Sequence, residues 1–294
     1  MAMNERDKYT GHMTTGHDWN GIKELNTKVP KPVWFFLIAT FLFSVIYWLL
    51  FPAWPLGVTY TKGLLGTDQH QRVDRLVEKA IIDRSVWTDR ILELDYADIQ
   101  NDPALMQIVS DNGGRLFRDN CSVCHGNMGK GGPGFPALTG TSWLWGGTPD
   151  AIFETIRVGV NSDHEESRLS EMMAFGRDQM LSRDEILAVT DYVLSLSDGT
   201  ARAAAVSEDP TSGATIFMDN CASCHGENAK GNIDVGAPDL TDNYWIYGGG
   251  RDGVFNTVWN GHKGYMPAWQ GRLPTVDRKI LTLYLMDLAN IKAE

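Results

Sequence analysis

Basic residues and cysteines are both in short supply in this chain. It carries 26 Lys and Arg against 37 Asp and Glu, a formal net charge of −11 over 294 residues. Nucleic-acid binding leaves a basic electrostatic footprint, so that class of function is excluded. Four cysteines are too few for a disulfide framework in a chain this long. Long apolar runs are confined to one stretch near the N-terminus. What the chain does have is an ordinary hydrophobic share of 43%, which excludes wholesale disorder. Its length suits about two domains.

The charge is unevenly placed. Before Tyr60 there are five Lys and Arg and four Asp and Glu, which leaves 21 against 33, net −12, for everything after it. The apolar stretch lies in that first part: Val33 to Leu50 reads VWFFLIATFLFSVIYWLL, eighteen residues without a charge. A helix of ~20 residues crosses the hydrocarbon core of a bilayer. Trp34, Trp48 and Trp54 stand where interfacial aromatics belong. A cleaved signal peptide would have a shorter apolar core and small residues at the cut. Here a polar segment comes first and Phe51-Pro52-Ala53-Trp54-Pro55 follows, so the run reads as an uncleaved anchor. Lys23, Lys28 and Lys31 precede it and only Lys62 follows closely, which puts the N-terminus in the cytoplasm and the bulk of the chain outside.

The expected organisation begins with a cytoplasmic segment (1–31), a transmembrane anchor (32–56) and a stalk (57–111). Within the stalk, Val73, Leu76, Val77, Ala80 and Ile81 mark one face of an amphipathic helix over Asp68–Asp83. Such a face rests on a partner or a membrane surface. Residues 84–102 are charged and mixed and point to no role.

Beyond the stalk the sequence repeats itself. Leu116-Phe117-Arg118-Asp119-Asn120-Cys121-Ser122-Val123-Cys124-His125-Gly126 returns as Ile216-Phe217-Met218-Asp219-Asn220-Cys221-Ala222-Ser223-Cys224-His225-Gly226. Pro136-Ala137-Leu138-Thr139 returns as Pro238-Asp239-Leu240-Thr241, and Trp143-Leu144-Trp145-Gly146-Gly147 as Trp245-Ile246-Tyr247-Gly248-Gly249. Met172-Met173-Ala174-Phe175 aligns with Met266-Pro267-Ala268-Trp269. Each copy closes on a helical pattern, the first opened by a Ser182/Glu185 capping box. The expected domains are 112–197 and 211–294, joined by a small, polar, alanine-rich linker over 198–210.

Both copies contain Cys-x-x-Cys-His, the attachment signature of c-type haem. Two thiols take up the vinyl groups as thioethers, and the adjacent histidine reaches the iron from the same turn of chain. A zinc ribbon wants a second cysteine pair ~15–20 residues away, whereas these pairs stand 100 residues apart. A thioredoxin-like pair leaves the histidines unexplained. The four cysteines therefore read as two covalently bound haem c groups, on Cys121 and Cys124 and on Cys221 and Cys224, with His125 and His225 on the irons. A large apolar plate also supplies the core that a domain of ~85 residues lacks.

A sixth ligand is sought later in each copy. A thioether raises the reduction potential and suits electron transfer. Met266 is the only methionine between His225 and the last helix. In the first copy Met172, Met173 and Met180 compete, and alignment with Met266 favours Met172, with Met173 the alternative. Met180 and Met286 read as core filler, and His164 and His262 as surface-loop residues. Pro136 and Pro238 stand where c-type domains use a backbone carbonyl to orient the ligand histidine. Trp143, Trp145, Trp245 and Tyr247 suit a haem crevice or simple packing equally.

An anchor followed by two tandem c-type domains resembles the dihaem cytochrome c subunit of cbb3-type cytochrome c oxidase, the FixP/CcoP family. The most specific likeness lies before the span, in Thr15-Gly16-His17-Asp18-Trp19-Asn20-Gly21-Ile22-Lys23-Glu24-Leu25-Asn26. With the two domains it covers nearly the whole chain. The resemblance implies a mainly α protein of the bacterial inner membrane, with one N-terminal transmembrane helix and two periplasmic cytochrome c-type domains. It implies a non-catalytic electron-transfer subunit. Electrons come from a soluble or anchored cytochrome c and pass to the monohaem cytochrome subunit and the haem–copper catalytic subunit, where oxygen is reduced. Met172 and Met266 stand where the family places its axial methionines. Two other functions remain open to haem motifs as such. One is the anchored cytochrome of a periplasmic dehydrogenase; the other is a dihaem peroxidase, whose vacant iron site the matched methionines oppose.

Overall fold

The computed structural model describes residues 5–140, 142–197 and 209–292. The chain divides into two compact units, residues 1–83 and 84–294.

In the first unit, β1 (Thr14–Trp19) and β2 (Ile22–Leu25) form an antiparallel hairpin. Asn20 and Gly21 sit between them with φ of 56° and 89°, the left-handed pair that a two-residue turn of matching twist requires. The Asp18 carboxylate accepts the Gly21 N–H at 2.6 Å, and the Trp19 indole N–H donates to Glu24 at 3.1 Å. This hairpin is the segment that carries the family likeness.

Helix α1 (Lys31–Leu50) follows, with proline in its first turn, where no N–H is needed. Its twenty residues reach about 30 Å at 1.5 Å each. None of them is buried, and it is the one helix among the described residues long and apolar enough to cross a membrane. Its internal hydroxyls are satisfied within the helix: Thr40 donates to the Phe36 carbonyl at 2.8 Å and Ser44 to Thr40 at 2.9 Å. A lipid-facing helix demands that, because no water is there to bond them. At its end the chain doubles back. The amides of Leu64 and Leu65 donate to the Leu49 and Leu50 carbonyls at 2.9 and 3.1 Å, and Trp54 packs edge-on to Trp48.

Helix α2 (Gln69–Glu93) outruns the expected stretch by about ten residues. Val73, Leu76, Val77 and Ile81 are all exposed on it. Its last turns belong to the second unit, where Trp87 and Ile91 join a core with α3 (Tyr96–Asn101), α4 (Pro103–Asn120) and α11 (Thr275–Leu288). The residues over 84–102 that pointed to no role are thus core-builders. Asp95 caps α3, and Asp102 caps α4 through the amides of Ala104 and Leu105.

The rest of the second unit comprises α5 (Ser122–His125), α6 (Pro149–Val158), α7 (Arg183–Ser197), α8 (Gly213–Asn220), α9 (Ala222–His225) and α10 (Arg251–Asn260). The Ser182/Glu185 box forms reciprocally before α7. Most of the expected linker, residues 198–208, lies outside the described residues.

The packing does not follow the repeat boundaries. Phe117 of α4 and Ile152 and Ile156 of α6 are buried against Leu281, Leu285 and Met286 of α11. Phe217 of α8 and Val254 and Val258 of α10 are buried against Ile186, Val189 and Val193 of α7. Each repeat thus covers the other with its closing helix. Tyr284 packs on Phe117, and Tyr192 packs equivalently on Phe217. Met286 is core as expected, whereas Met180 is 50% exposed and fills none.

Candidate functional site

Each Cys-x-x-Cys-His segment is a single helical turn set on the end of a buried helix. The Cys121 and Cys221 amides donate to Phe117 and Phe217 at 2.8 Å, and those of His125 and His225 to Cys121 and Cys221 at 3.0 and 2.9 Å. That turn places both thiols and the imidazole on one side. All four thiols are free, Cys124 and Cys224 exposed and Cys121 and Cys221 half-buried. Burial pushes the Cys121 and Cys221 thiols up to about 11.

The histidines are oriented from behind. Nδ1 of His125 lies 2.9 Å from the Pro136 carbonyl, and Nδ1 of His225 lies 3.1 Å from that of Pro238. A carbonyl only accepts, so Nδ1 carries the proton and Nε2 keeps a lone pair for a metal. Burial lowers the pKa of both imidazoles, partly countered by those carbonyl bonds, which holds them neutral as ligation requires.

Both turns open into one cavity of about 910 Å³. Trp143, Trp145, Trp245, Tyr247, Met172 and Met266 all line it. The Trp143 indole N–H is buried there without a partner, which suits a carboxylate-bearing apolar ligand. Among the described residues no three His, Cys, Asp or Glu gather as a metal-binding cluster. Paired thiols, an imidazole nitrogen, thioethers and an apolar wall fit haem c.

The methionines sit where the exchanged helices put them. Met172 and His262 trade backbone hydrogen bonds at 2.8 and 3.0 Å, and Met172 packs on the Phe217 core that also holds Cys221. Met266 and Val160 trade bonds at 2.9 Å, directly after α6. The Trp269 amide donates to Ile156 at 3.1 Å, and its ring joins the core of Phe117 and Cys121. Two glycines make room. At Gly159, φ +71°, an added Cβ would lie 2.3 Å from the Met266 carbonyl; at Gly261, φ +63°, it would lie 2.3 Å from that of Met172. The sequence offers one aligned methionine per repeat, and the loops that carry them lie crosswise, each bonded to the other repeat. The reason is continuity: each methionine loop runs straight into a closing helix that is buried on the opposite repeat.

Met173 is 51% exposed. His262 lines the cavity, stacked on Tyr247 with Nε2 on the Thr257 hydroxyl, and His164 is bonded to Gln270 outside it. Sequence reasoning missed the ties between the repeats. The Tyr244 hydroxyl accepts the Ala137 N–H, the Ser142 hydroxyl donates to Asp242 at 2.7 Å, and the Gly134 amide donates to Ile246 at 2.9 Å. No local pattern signals such contacts. Asn161 had a signal, a non-glycine at φ 48°, but only in three dimensions: its amide donates to both the Ser170 and Gly264 carbonyls at 2.7 Å.

Comparison with known proteins agrees along the whole chain. Residues 11–58 match the family described as the N-terminal domain of cytochrome oxidase-cbb3, FixP. Residues 110–197 match cytochrome c, and residues 208–285 match cytochrome C oxidase, cbb3-type, subunit III. The chain is similar to the cbb3-type cytochrome c oxidase subunit FixP of Bradyrhizobium diazoefficiens, 41% identical over 98% of each chain. It is 40% identical to the subunit CcoP of Azospirillum brasilense over 99% of this chain and all of that one. The CcoP of Cereibacter sphaeroides is 40% identical over 94% of each.

Proposed function

The chain belongs to the FixP/CcoP family of cbb3-type cytochrome c oxidase subunits, and from that premise we propose how its own residues serve the complex. It is an electron-transfer subunit of such an oxidase. Two haem c groups, when bound, supply reversible one-electron chemistry. In this reading Cys121 and Cys124 hold one through thioethers and Cys221 and Cys224 the other. His125 and His225 present Nε2, and Met266 and Met172 present the opposing sulfurs, Met266 for the site of His125 and Met172 for that of His225. Met173 takes no part. The apolar walls exclude water, and thioether opposite imidazole favours the reduced state.

One observation carries this reading: two Cys-x-x-Cys-His turns share a single cavity, each histidine held at Nδ1 by a proline carbonyl. The donor is a soluble or anchored cytochrome c, and the acceptors are the monohaem cytochrome and haem–copper catalytic subunits. The N-terminus is cytoplasmic and the haem-bearing part periplasmic, since lysines crowd the first side of α1 and haem c is attached outside the cytoplasm.

The test is mass spectrometry of the membrane complex purified through this chain. Haem-modified peptides at both motifs and a haem–copper partner are expected. A quinoprotein or molybdoprotein partner instead would remove the oxidase assignment, and unmodified motifs would remove the haem assignment. Protease added to intact spheroplasts should cut the chain beyond residue 60; protection there would reverse the orientation.

A further inference from the structure

Because the two sites are copies, differences between equivalent positions stand out against a common background. His262 answers to Val160, since both follow a left-handed glycine and bridge a methionine, whereas Arg168 comes from the longer loop that the first copy has between Val160 and Met172. The Arg168 guanidinium stacks 4.9 Å over Trp145, and the His262 ring stacks 3.5 Å from Tyr247, the equivalent aromatic. One site thus has a permanent cation where the other has a ring with none. Arg168 Nη2 donates to the Ala151 carbonyl of α6 at 3.2 Å, and its Nε is buried without a partner.

A second difference of the same sign lies on the closing helices. The Tyr192–Phe217 and Tyr284–Phe117 contacts set their register, and six residues before each tyrosine stand Ile186 and Arg278. Ile186 is fully buried on the second site. Arg278 is only 6% exposed, one turn from Leu281, which lines the cavity on the first site. Its Nη2 reaches Thr275 at 3.1 Å and its face covers Phe153, but Nε and Nη1 have no partner.

Carboxylates show the opposite bias. Pro136, which holds His125, is followed by Ala137, with Gly140 beyond; Pro238, which holds His225, is followed by Asp239, with Asp242 beyond. Asp239 and Asp242 both line the cavity. Lys230 lies 3.4 Å from Asp239 and lines the cavity with it, so among the described residues Asp242, bonded to the Ser142 hydroxyl, is the carboxylate there without an ion pair. Other charges near the sites include the pairs of Glu154 and Glu166 with Arg157 at the first and of Asp191 with Arg251 and Glu171 with Lys263 at the second; Glu154 also faces Arg168 and Arg278, while Arg272 stacks on Trp269 and Arg183 on Phe255.

An unneutralised cation in a low-dielectric interior stabilises the electron-rich state of a neighbouring redox centre, and a carboxylate stabilises the electron-poor one. We infer that the site of Cys121, Cys124 and His125 has the higher reduction potential, so that electrons within this chain run from the site of His225 to the site of His125. The inference rests on the two-haem reading above. With haem c bound at both, the second site would give up one electron and the first would take it up, with no bond made or broken. The one-electron donor, a reduced cytochrome c, then delivers to the second site.

Spectroelectrochemical titration of the purified full-length complex tests this. Two c-type components are expected. Arg168→Gln should lower the higher component and leave the lower in place, and Asp239→Asn should raise the lower and leave the higher. The reverse assignment, or two components that neither substitution moves, overturns the inference. If Arg168→Gln fails to load haem, Asp239→Asn decides by itself. Absence of any c-type spectrum in the unsubstituted complex would instead remove the underlying two-haem reading.

Discussion

Val160 and Met266 exchange both backbone hydrogen bonds, N–H to carbonyl in each direction at 2.9 Å. Val160 follows α6 of the first repeat, and Met266 is the methionine of the second. Met172 and His262 make the mirrored exchange. These two bridges are where the chain crosses over, and each ties a methionine loop to the neighbouring repeat.

The crossing predicts which methionine serves which histidine. In a chain carrying Cys121→Ala and Cys124→Ala, the second haem remains. Adding Met172→Ala should abolish the long-wavelength thioether-to-iron absorption of that haem, while adding Met266→Ala should spare it. The opposite result would return each methionine to its own repeat. Independently, a zero-length carbodiimide should join Glu171 to Lys263 in the unsubstituted protein, since their side chains lie 2.9 Å apart; peptide mapping without that link would count against the crossing.

With Gly261, Gly159 is one of the two tightest points of the crossing. A Cβ there meets the Met266 carbonyl at 2.3 Å on a left-handed backbone. Gly159→Ala should cost about 1–3 kcal/mol of stability, the range for a strained backbone position. It should also loosen the Met266 loop, so thermal melts should show a lower midpoint together with loss of one thioether-ligated haem. A destabilised protein with both thioether bands intact would show that the strain is absorbed elsewhere.

Acid sensitivity should depend on Arg157. Its guanidinium donates two hydrogen bonds to Glu154 at 2.7 Å, holding that carboxyl below the usual glutamate range. A depressed native pKa contributes stability above the unfolded value of about 4.3, and that contribution is lost as pH falls through the native value. Arg157→Gln should therefore flatten the fall in stability just below about pH 4.3. Urea unfolding at neutral and acid pH measures it; an unchanged pH slope would deny Glu154 this role.

The chain after Tyr60 has a net charge of −12, and haem propionates add to it. Reduction by a basic cytochrome c should slow as ionic strength rises, because steering between opposite charges is screened. Stopped-flow rates independent of salt would place donor recognition on uncharged contacts.

Much of the site was legible in the sequence because its chemistry is local. Cys121 to His125 form one turn, and the Pro136 and Pro238 carbonyls could be anticipated from their place after the motif. Residues 84–102 were not legible. Their apolar positions, Trp87, Ile91 and Ile99, are split between the last turns of α2 and the short α3, and the partners that bury them, Ile280 and Leu283, lie near the far end of the chain. The hairpin was legible in principle, since Asn20-Gly21 is a strong turn signal, but four flanking residues on β2 show no buried alternation.

By itself the sequence determined the apolar span, the two Cys-x-x-Cys-His motifs and the small set of methionines that follow them. Only the tertiary structure decided how these are shared. The closing helices α7 and α11 carry similar apolar faces, and either pattern would suit either haem-binding turn. Periodicity specifies that a face will be buried but not against which of two near-identical partners. That choice is made by non-local packing: Tyr284 on Phe117, Tyr192 on Phe217, and two left-handed glycines that let the methionine loops pass.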